Sequence, residues 1–325
     1  MKNIIIIGAG QLGSRHLQGV LKYAKEPLCI FVSDPSEEAL QTSKERAAEI
    51  EHAHELHFIK HSNQFPTTAE VAIVATNSNV RELVTSDLLE KTSLKYIILE
   101  KVLFQDIAAY DRVQDLISKY PTQVYVNHPR RLTPTYVALA EKISAIGGRS
   151  FFSIVGENWD LGCNALHMID LFAFLSHSAV KSISTEGIDT AILESKRQGY
   201  VEFTGTITGL MENNDAFSIT SLPGERGPLT LQIATNGNRW LVQEGGTKTV
   251  LHLEAANNFA VKQHDFFQDF QSNLTTQVIA DLLENTSCGL STYDEAAHTH
   301  KVFITALLKK YNSITNLNEI KCPIT

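Results

Sequence analysis

Six residues near the amino terminus carry the first recognisable chemistry: Gly8-Ala9-Gly10-Gln11-Leu12-Gly13, directly after an apolar run and directly before a helix-periodic stretch. In that context each glycine has its own use. Gly8 permits a tight turn, Gly10 lets the backbone approach a pyrophosphate with no Cβ in the way, and Gly13 allows a helix to pack closely on a strand. The phosphates would rest on free N–H groups at Gln11 and Leu12, at the positive end of the helix. Asp34 lies about 20 residues further on, where a dinucleotide site places the carboxylate that holds the adenosine ribose hydroxyls; a turn residue before Pro35 is the other account of it. A carboxylate there repels a 2′-phosphate, and Pro35-Ser36 offers no cation to neutralise one, so NAD(H) is expected over NADP(H). Ala75-Thr76-Asn77-Ser78-Asn79 ends another apolar run, which makes Thr76 and Asn77 candidates to line the cofactor or to cap the next helix.

These residues need a scaffold, and the hydrophobic pattern supplies one. Apolar runs at 3–7, 28–33, 71–75, 96–99 and 124–126 are near-continuous Ile, Val and Leu, as strands covered on both faces require. Helical periodicity at 11–23, 36–50, 80–90 and 106–119 separates them, giving repeated βαβ units and a parallel sheet. After Asn127-His128-Pro129-Arg130-Arg131 the pattern changes. A helix over 133–146, stopped by Gly147-Gly148, leads to a strand at 150–155 and a helix at 163–175. Strands at 201–207, 216–221, 229–234, 240–243 and 249–253, with turn clusters between them, then imply an antiparallel sheet, and helices are expected over 261–274 and 293–311. The expected fold is α/β: a nucleotide-type α/β domain at 1–126, then an α+β domain at 127–325 with one broad, mostly antiparallel sheet.

The 325 residues are 43% hydrophobic and 20% charged, which excludes collagen-like and disordered classes. Asp and Glu number 36 against 28 Lys and Arg, with no basic run, so a nucleic-acid partner is not expected. No apolar stretch reaches the ~20 residues of a membrane span, and the amino terminus does not read as a signal peptide, so no membrane partner and a cytoplasmic location are expected. Cys29, Cys163, Cys288 and Cys322 are far apart with no CxxC pair, which leaves them as free thiols with neither a disulfide framework nor a metal site.

Taken with Glu100-Lys101 after the 96–99 run, the Asn127 and Arg130 segment, and His167-Met168-Ile169-Asp170, the glycine turn and Ala75-Thr76-Asn77 form an ordered set of motifs. In this the chain resembles the Gfo/Idh/MocA (glucose-fructose oxidoreductase / inositol dehydrogenase) family. The resemblance implies that 1–126 is a Rossmann NAD-binding domain and 127–325 a substrate and oligomerisation domain with a large open sheet, in an oxidoreductase that moves hydride between nicotinamide and a hydroxyl or keto carbon of a sugar, sugar nucleotide or cyclitol. It also implies a homodimer or homotetramer formed through the open sheet. It assigns Lys101 to the reacting oxygen and nicotinamide, and His167 to proton transfer, with Glu100 positioning the ammonium. Those residue types suit the work: a histidine titrates near neutral pH, and a lysine can stabilise charge developing on oxygen.

Two positions depart from the family pattern. Val102 replaces the proline that usually follows the EK pair, and a trans bond is expected before it, because a cis bond before a non-proline residue costs several kcal/mol. Cys163 replaces the aspartate that usually stands one turn before the histidine; Asp160, Asn164 or Asp170 would have to supply its hydrogen bond. Asn158, Trp159 and Asp160 could offer an aromatic face and polar groups to a sugar. Arg130 could bind a substrate phosphate or carboxylate, or only a helix terminus. The departures also leave room for a second class: a catalytically impaired NAD(H)-binding sensor or assembly protein of the same fold.

Overall fold

The computed structural model describes all 325 residues. Its first unit comprises residues 1–104, 108–129 and 269–294, and its second 105–107, 130–268 and 295–325.

The first unit runs β1 (Lys2–Ile7), α1 (Gln11–Leu21), β2 (Leu28–Ser33), α2 (Glu37–Ala47), β3 (Glu55–Ile59), β4 (Thr68–Val74), α3 (Ser78–Lys91), β5 (Ser93–Leu99), α4 (Ile107–Ile117) and β6 (Gln123–Val126), and all but β3 fall where the periodicity predicts. The strands of β6-β5-β4-β1-β2-β3 run parallel in that order. Ile4, Ile5 and Ile6 are wholly buried, as a strand covered on both faces demands. Helix α2 follows its signals closely: the Ser36 hydroxyl accepts from Ala39 N–H at 3.2 Å, with Glu37 and Glu38 in the first turn and Lys44 and Arg46 in the last. Strand β3 escaped the sequence reading because none of its five residues is fully buried and Glu55 and His57 interrupt the apolar run.

The second unit contains α5 (Pro134–Ile146), β7 (Ser150–Glu157), α6 (Leu161–Ser176), β8 (Val180–Ser184), β9 (Ile188–Glu194), β10 (Val201–Met211), β11 (Ala216–Leu222), β12 (Thr230–Thr235), β13 (Asn238–Gln243), β14 (Thr249–Glu254) and β15 (Lys262–Asp265). They form a nine-stranded sheet in the order β15-β14-β13-β12-β7-β11-β10-β8, with β9 also on β10. Every pairing is antiparallel except β7 with β11. One sheet face packs on α6, whose Leu166, Ile169 and Phe172 are fully buried. The other face leaves Phe151, Val155, Leu210 and Leu222 part-exposed.

The carboxyl-terminal stretch corrects two expectations. Residues 261–274 are not one helix: Lys262–Asp265 pairs with β14 as an edge strand, and a helix, α7, occupies Gln271–Glu284. Nor does the chain after residue 127 lie wholly in one unit. Helix α7 and the short β16 (Ser291–Thr292), which pairs with β6, belong to the first unit. The close approach of α7 to α1 explains Gly19, whose Cβ would stand 2.5 Å from the Ser272 carbonyl oxygen. The last helix, α8, runs Tyr293–Thr315. No helix is long and apolar enough to cross a membrane.

Candidate functional site

The glycine turn has the geometry that its three glycines imply. Gly8 sits at φ +95°, and its N–H donates to the Ser33 carbonyl at 2.8 Å, fastening the end of β1 to the end of β2. A Cβ on Gly13 would stand 1.7 Å from the Gly8 carbonyl oxygen, so only glycine lets α1 start this close to the strand. Gly10 differs: no heavy atom lies within 4 Å of where its Cβ would be, and as N-cap of α1 it offers no side-chain acceptor. The first N–H groups of α1, at Gln11, Leu12 and Gly13, are therefore left for another acceptor. Arg46 is tied to this turn, donating to the Gln11 carbonyl at 3.0 Å and to the Gln11 amide oxygen at 2.6 Å.

Asp34 lies beside the same turn. One carboxylate oxygen accepts from Ala9 N–H at 2.7 Å and the other from Ser36 N–H at 2.9 Å, so the residue both shapes the turn before Pro35 and presents charge at the strand end. Each oxygen keeps a lone pair for a further donor. At the end of β4, the buried Thr76 hydroxyl has no hydrogen-bond partner. Asn77 is the N-cap of α3 by position but makes no capping bond with its side chain, contrary to the capping account of it. An open glycine, an uncapped helix start, a carboxylate at the second strand and an orphaned hydroxyl at the fourth together fit a dinucleotide.

Glu100 does different work from that expected. It is 2% exposed, and its carboxylate takes hydrogen bonds from His16 Nε2 at 2.8 Å and Asn127 Nδ2 at 2.5 Å, not from the Lys101 ammonium. Burial by itself would raise its pKa, but those bonds and the charges of His16 and Arg81 outweigh it and hold the carboxyl below the usual range. His16 continues the chain through Nδ1 to Thr275 Oγ1 of α7 at 2.9 Å. Lys101 follows, half-buried at the carboxyl end of β5. The Lys101–Val102 peptide bond is cis, which corrects the trans expectation. The local argument left out tertiary partners: Val102 is fully buried, and the Arg81 guanidinium donates to the carbonyls of Val102, Leu103 and Thr76.

In the second unit, His167 lies half-buried on α6, in line with the half-buried Cys163 and Asn164. The three residues considered as its partners are engaged elsewhere. Asp160 pairs with Arg226 at 2.7 Å and Lys196 at 3.1 Å, Asn164 donates to the Trp159 carbonyl at 2.7 Å, and buried Asp170 pairs with Arg131 at 2.8 Å. A carboxylate does reach this end of α6, from a neighbouring strand: both oxygens of Glu202 on β10 stand 3.2 Å from Cys163 N–H. Trp159 is 3% exposed and donates through Nε1 to the Thr220 carbonyl, so it is core and presents no aromatic face. Asn158, at φ +41°, donates to the Gly224 carbonyl and holds a turn. Arg130 makes a two-pronged bond to Glu244, at 2.9 and 2.8 Å, and Tyr136 donates to the same carboxylate at 2.7 Å, so the guanidinium is spent inside the protein.

Sequence reasoning missed His16, Arg81 and Glu202. The available signal for the first two was a charge-capable residue on the buried face of a helix, where it must find a partner. For Glu202, one position in a strand, no signal existed.

The fold and turn define a two-unit protein with a dinucleotide-binding α/β domain followed by an open-sheet α+β domain. Residues 2–128 match the model of the family described as "Oxidoreductase family, NAD-binding Rossmann fold", Gfo/Idh/MocA. No curated protein sequence matches the chain. Solved structures share the whole fold at low identity. An oxidoreductase from Agrobacterium radiobacter in complex with NAD+, L-tartaric acid and magnesium is 12% identical at a TM-score of 0.74, covering 97% of this chain and 96% of that one. UDP-N-acetylglucosamine 3-dehydrogenase from Acidithiobacillus ferrooxidans is 12% identical at 0.69, covering 94% and 96%. A super-repressor mutant of Gal80p from Saccharomyces cerevisiae is 14% identical at 0.73, covering 98% and 100%.

Proposed function

We propose that the protein is an NAD(H)-dependent oxidoreductase acting on a hydroxyl or keto carbon of a sugar, sugar nucleotide or cyclitol. The observation that carries this reading is the open Gly10 at an uncapped helix start, with Asp34 hydrogen-bonded to the neighbouring Ala9. The cofactor, when bound, supplies the carbon that accepts or donates hydride. The backbone of Gly8 to Gly13 receives its pyrophosphate and Asp34 its ribose hydroxyls, with Thr76 beside them. The charge of Asp34 disfavours a 2′-phosphate, and Arg46, the nearby cation, is tied to Gln11, so NAD(H) is preferred over NADP(H). Lys101 donates a hydrogen bond to the substrate oxygen, and His167 takes or returns the hydroxyl proton. The UDP-sugar dehydrogenase of the same fold supports the substrate class.

Turnover of NAD(H) with a panel of sugars and nucleotide sugars tests the reading, with Lys101→Ala and His167→Ala as controls. A fall of roughly 10²–10⁴ in kcat for His167→Ala is expected of a general acid–base residue. Equal rates in wild type and both variants would remove the role assignment.

A second reading rests on Cys163 at the position where the resemblance expects aspartate, and on a repressor sharing the fold. In it the chain binds NAD(H) as a sensor or assembly protein without turnover. Tight NADH binding with no turnover across the panel favours it. Either protein would form a homodimer or homotetramer through the sheet face that carries Phe151, Val155, Leu210 and Leu222.

A further inference from the structure

We propose that Cys29, Glu55 and His57 form a binding site for one zinc ion on the outer strands of the first sheet. In the parallel register of β2 and β3, Cys29 lies directly beside Glu55, and Phe31 directly beside His57. Side chains two apart on a strand share a face, so all three donors project to the same side. Their donor atoms lie within 4.8 Å of one another. The neighbourhood is already ordered. His57 Nε2 is 2.9 Å from Glu55 Oε1, and the imidazole stacks on the Phe31 ring at 4.8 Å between centroids with 17° between planes. The stack fixes the ring much as outer hydrogen bonds fix metal-bound histidines.

The donor set chooses the metal. Calcium and magnesium take oxygen ligands, whereas one sulfur, one imidazole nitrogen and one carboxylate oxygen suit zinc, with water in the fourth position. Bond lengths of about 2.0–2.3 Å put the donors of a tetrahedral zinc roughly 3.3–3.7 Å apart. Cys29 and Glu55 are at least part-exposed and can close that distance by side-chain rotation while His57 stays stacked on Phe31. Thiolate and carboxylate together cancel the ion's charge. Burial, then the charge of Glu55, pushes the Cys29 thiol up, so the free protein holds it protonated at neutral pH. Zinc uptake therefore breaks the S–H bond, forms an S–Zn bond and releases that proton to solvent, with no change of oxidation state.

The site is remote from the glycine turn in the strand direction: Cys29 and Glu55 lie in the first two positions of their strands, whereas Gly8 and Asp34 follow the last residues of theirs. A metal here ties β3, the free edge of the sheet, to its neighbour. Sequence spacing hid the site, because Cys29 is brought to Glu-Leu-His only by strand pairing.

The test uses the full-length chain, reduced and stripped of metal, titrated with Co²⁺ as an optical substitute for zinc. One cobalt per chain is expected, with a near-ultraviolet thiolate charge-transfer band and the strong visible bands of a tetrahedral site, both abolished by added zinc. The charge-transfer band should vanish in Cys29→Ser and persist in Cys288→Ser. His57→Gln should weaken cobalt affinity by roughly tenfold or more. Only the weak spectrum of six-coordinate cobalt in the wild type, or a charge-transfer band that survives Cys29→Ser, would overturn the proposal. Should Cys29→Ser fail to fold, His57→Gln and Glu55→Gln carry the comparison, and undiminished affinity in both is the overturning result. NADH binding is read separately, so this outcome does not depend on the cofactor site.

Discussion

His16 Nε2 and Glu100 Oε1 stand 2.8 Å apart, each on a side chain almost completely withdrawn from water. The pair is the middle of a chain, Thr275–His16–Glu100–Asn127, that joins α7, α1, the end of β5 and the end of β6 at the residue preceding Lys101. A buried pair need not stabilise relative to an apolar core, but without His16 the buried Glu100 carboxylate loses its charged hydrogen-bond partner and keeps only the Asn127 amide as a donor. His16→Ala is therefore expected to cost about 3–5 kcal/mol in unfolding free energy. Denaturant unfolding checks it; a loss typical of a surface site, within ~0.5 kcal/mol, would contradict the pairing.

The same carboxylate predicts a pH dependence. Its folded pKa lies below the ordinary value of 4.5, so the unfolded chain takes up the proton at higher pH than the folded one. The stabilisation is complete above the unfolded value and is lost as pH falls from ~5 through the depressed folded value. The melting temperature should drop over that window, and Glu100→Gln should make the drop shallower. Parallel curves for the two proteins would contradict the assignment.

Gly10 and Gly13 should separate binding from folding. A methyl group on Gly13 meets the Gly8 carbonyl oxygen at 1.7 Å, so Gly13→Ala forces α1 away from the strand and lowers both stability and NADH affinity. At Gly10 the methyl group meets only open space. Gly10→Ala should fold with a loss of no more than about 1–2 kcal/mol, the cost of a poorer N-cap with no steric clash, yet lose NADH binding by calorimetry. Intact binding in Gly10→Ala would mean that no phosphate lies there.

How much of this was legible depends on whether the signal was local. The Ile4 to Ile6 run, the turn at Gly8 and the helix start at Ser36 are determined within a few residues, and the structure places them as read. Strand β3 was hidden because its burial is partial, and Lys262–Asp265 because an exposed edge strand has no apolar face to show. Arg130, Trp159 and Asp160 illustrate the harder case: their types suggested a ligand, but each is committed to a partner distant in sequence, Glu244, Thr220 and Arg226 respectively. Periodicity carries no information about such partners.

Asp34 sets the cofactor preference if its free lone pairs receive the ribose hydroxyls. Hydrogen bonds to a charged group contribute about 1.5–3 kcal/mol, or roughly 10–100-fold in affinity. Asp34→Ser should weaken NADH by that factor and narrow or reverse its advantage over NADPH, which would no longer face a like charge. The ratio of the two dissociation constants, measured by fluorescence titration, decides it. An unchanged ratio would leave Asp34 as a turn residue only.

Arg130 separates a structural role from a substrate-binding one. Burial raises the Glu244 carboxyl, but the charge and hydrogen bonds of Arg130, and the bond from Tyr136, more than offset it and hold the group below its usual range. Removing the guanidinium leaves that carboxylate buried with one phenol, so Arg130→Ala should lose about 3–5 kcal/mol of stability. Arg130→Lys should recover only part of it, because an ammonium cannot make the two-pronged bond. If Arg130 instead gripped a substrate phosphate, the alanine variant would keep its melting temperature and raise KM for charged substrates alone. Thermal unfolding and a KM comparison between a neutral sugar and a sugar phosphate distinguish the two, and the two-pronged bond to Glu244 favours the loss of stability.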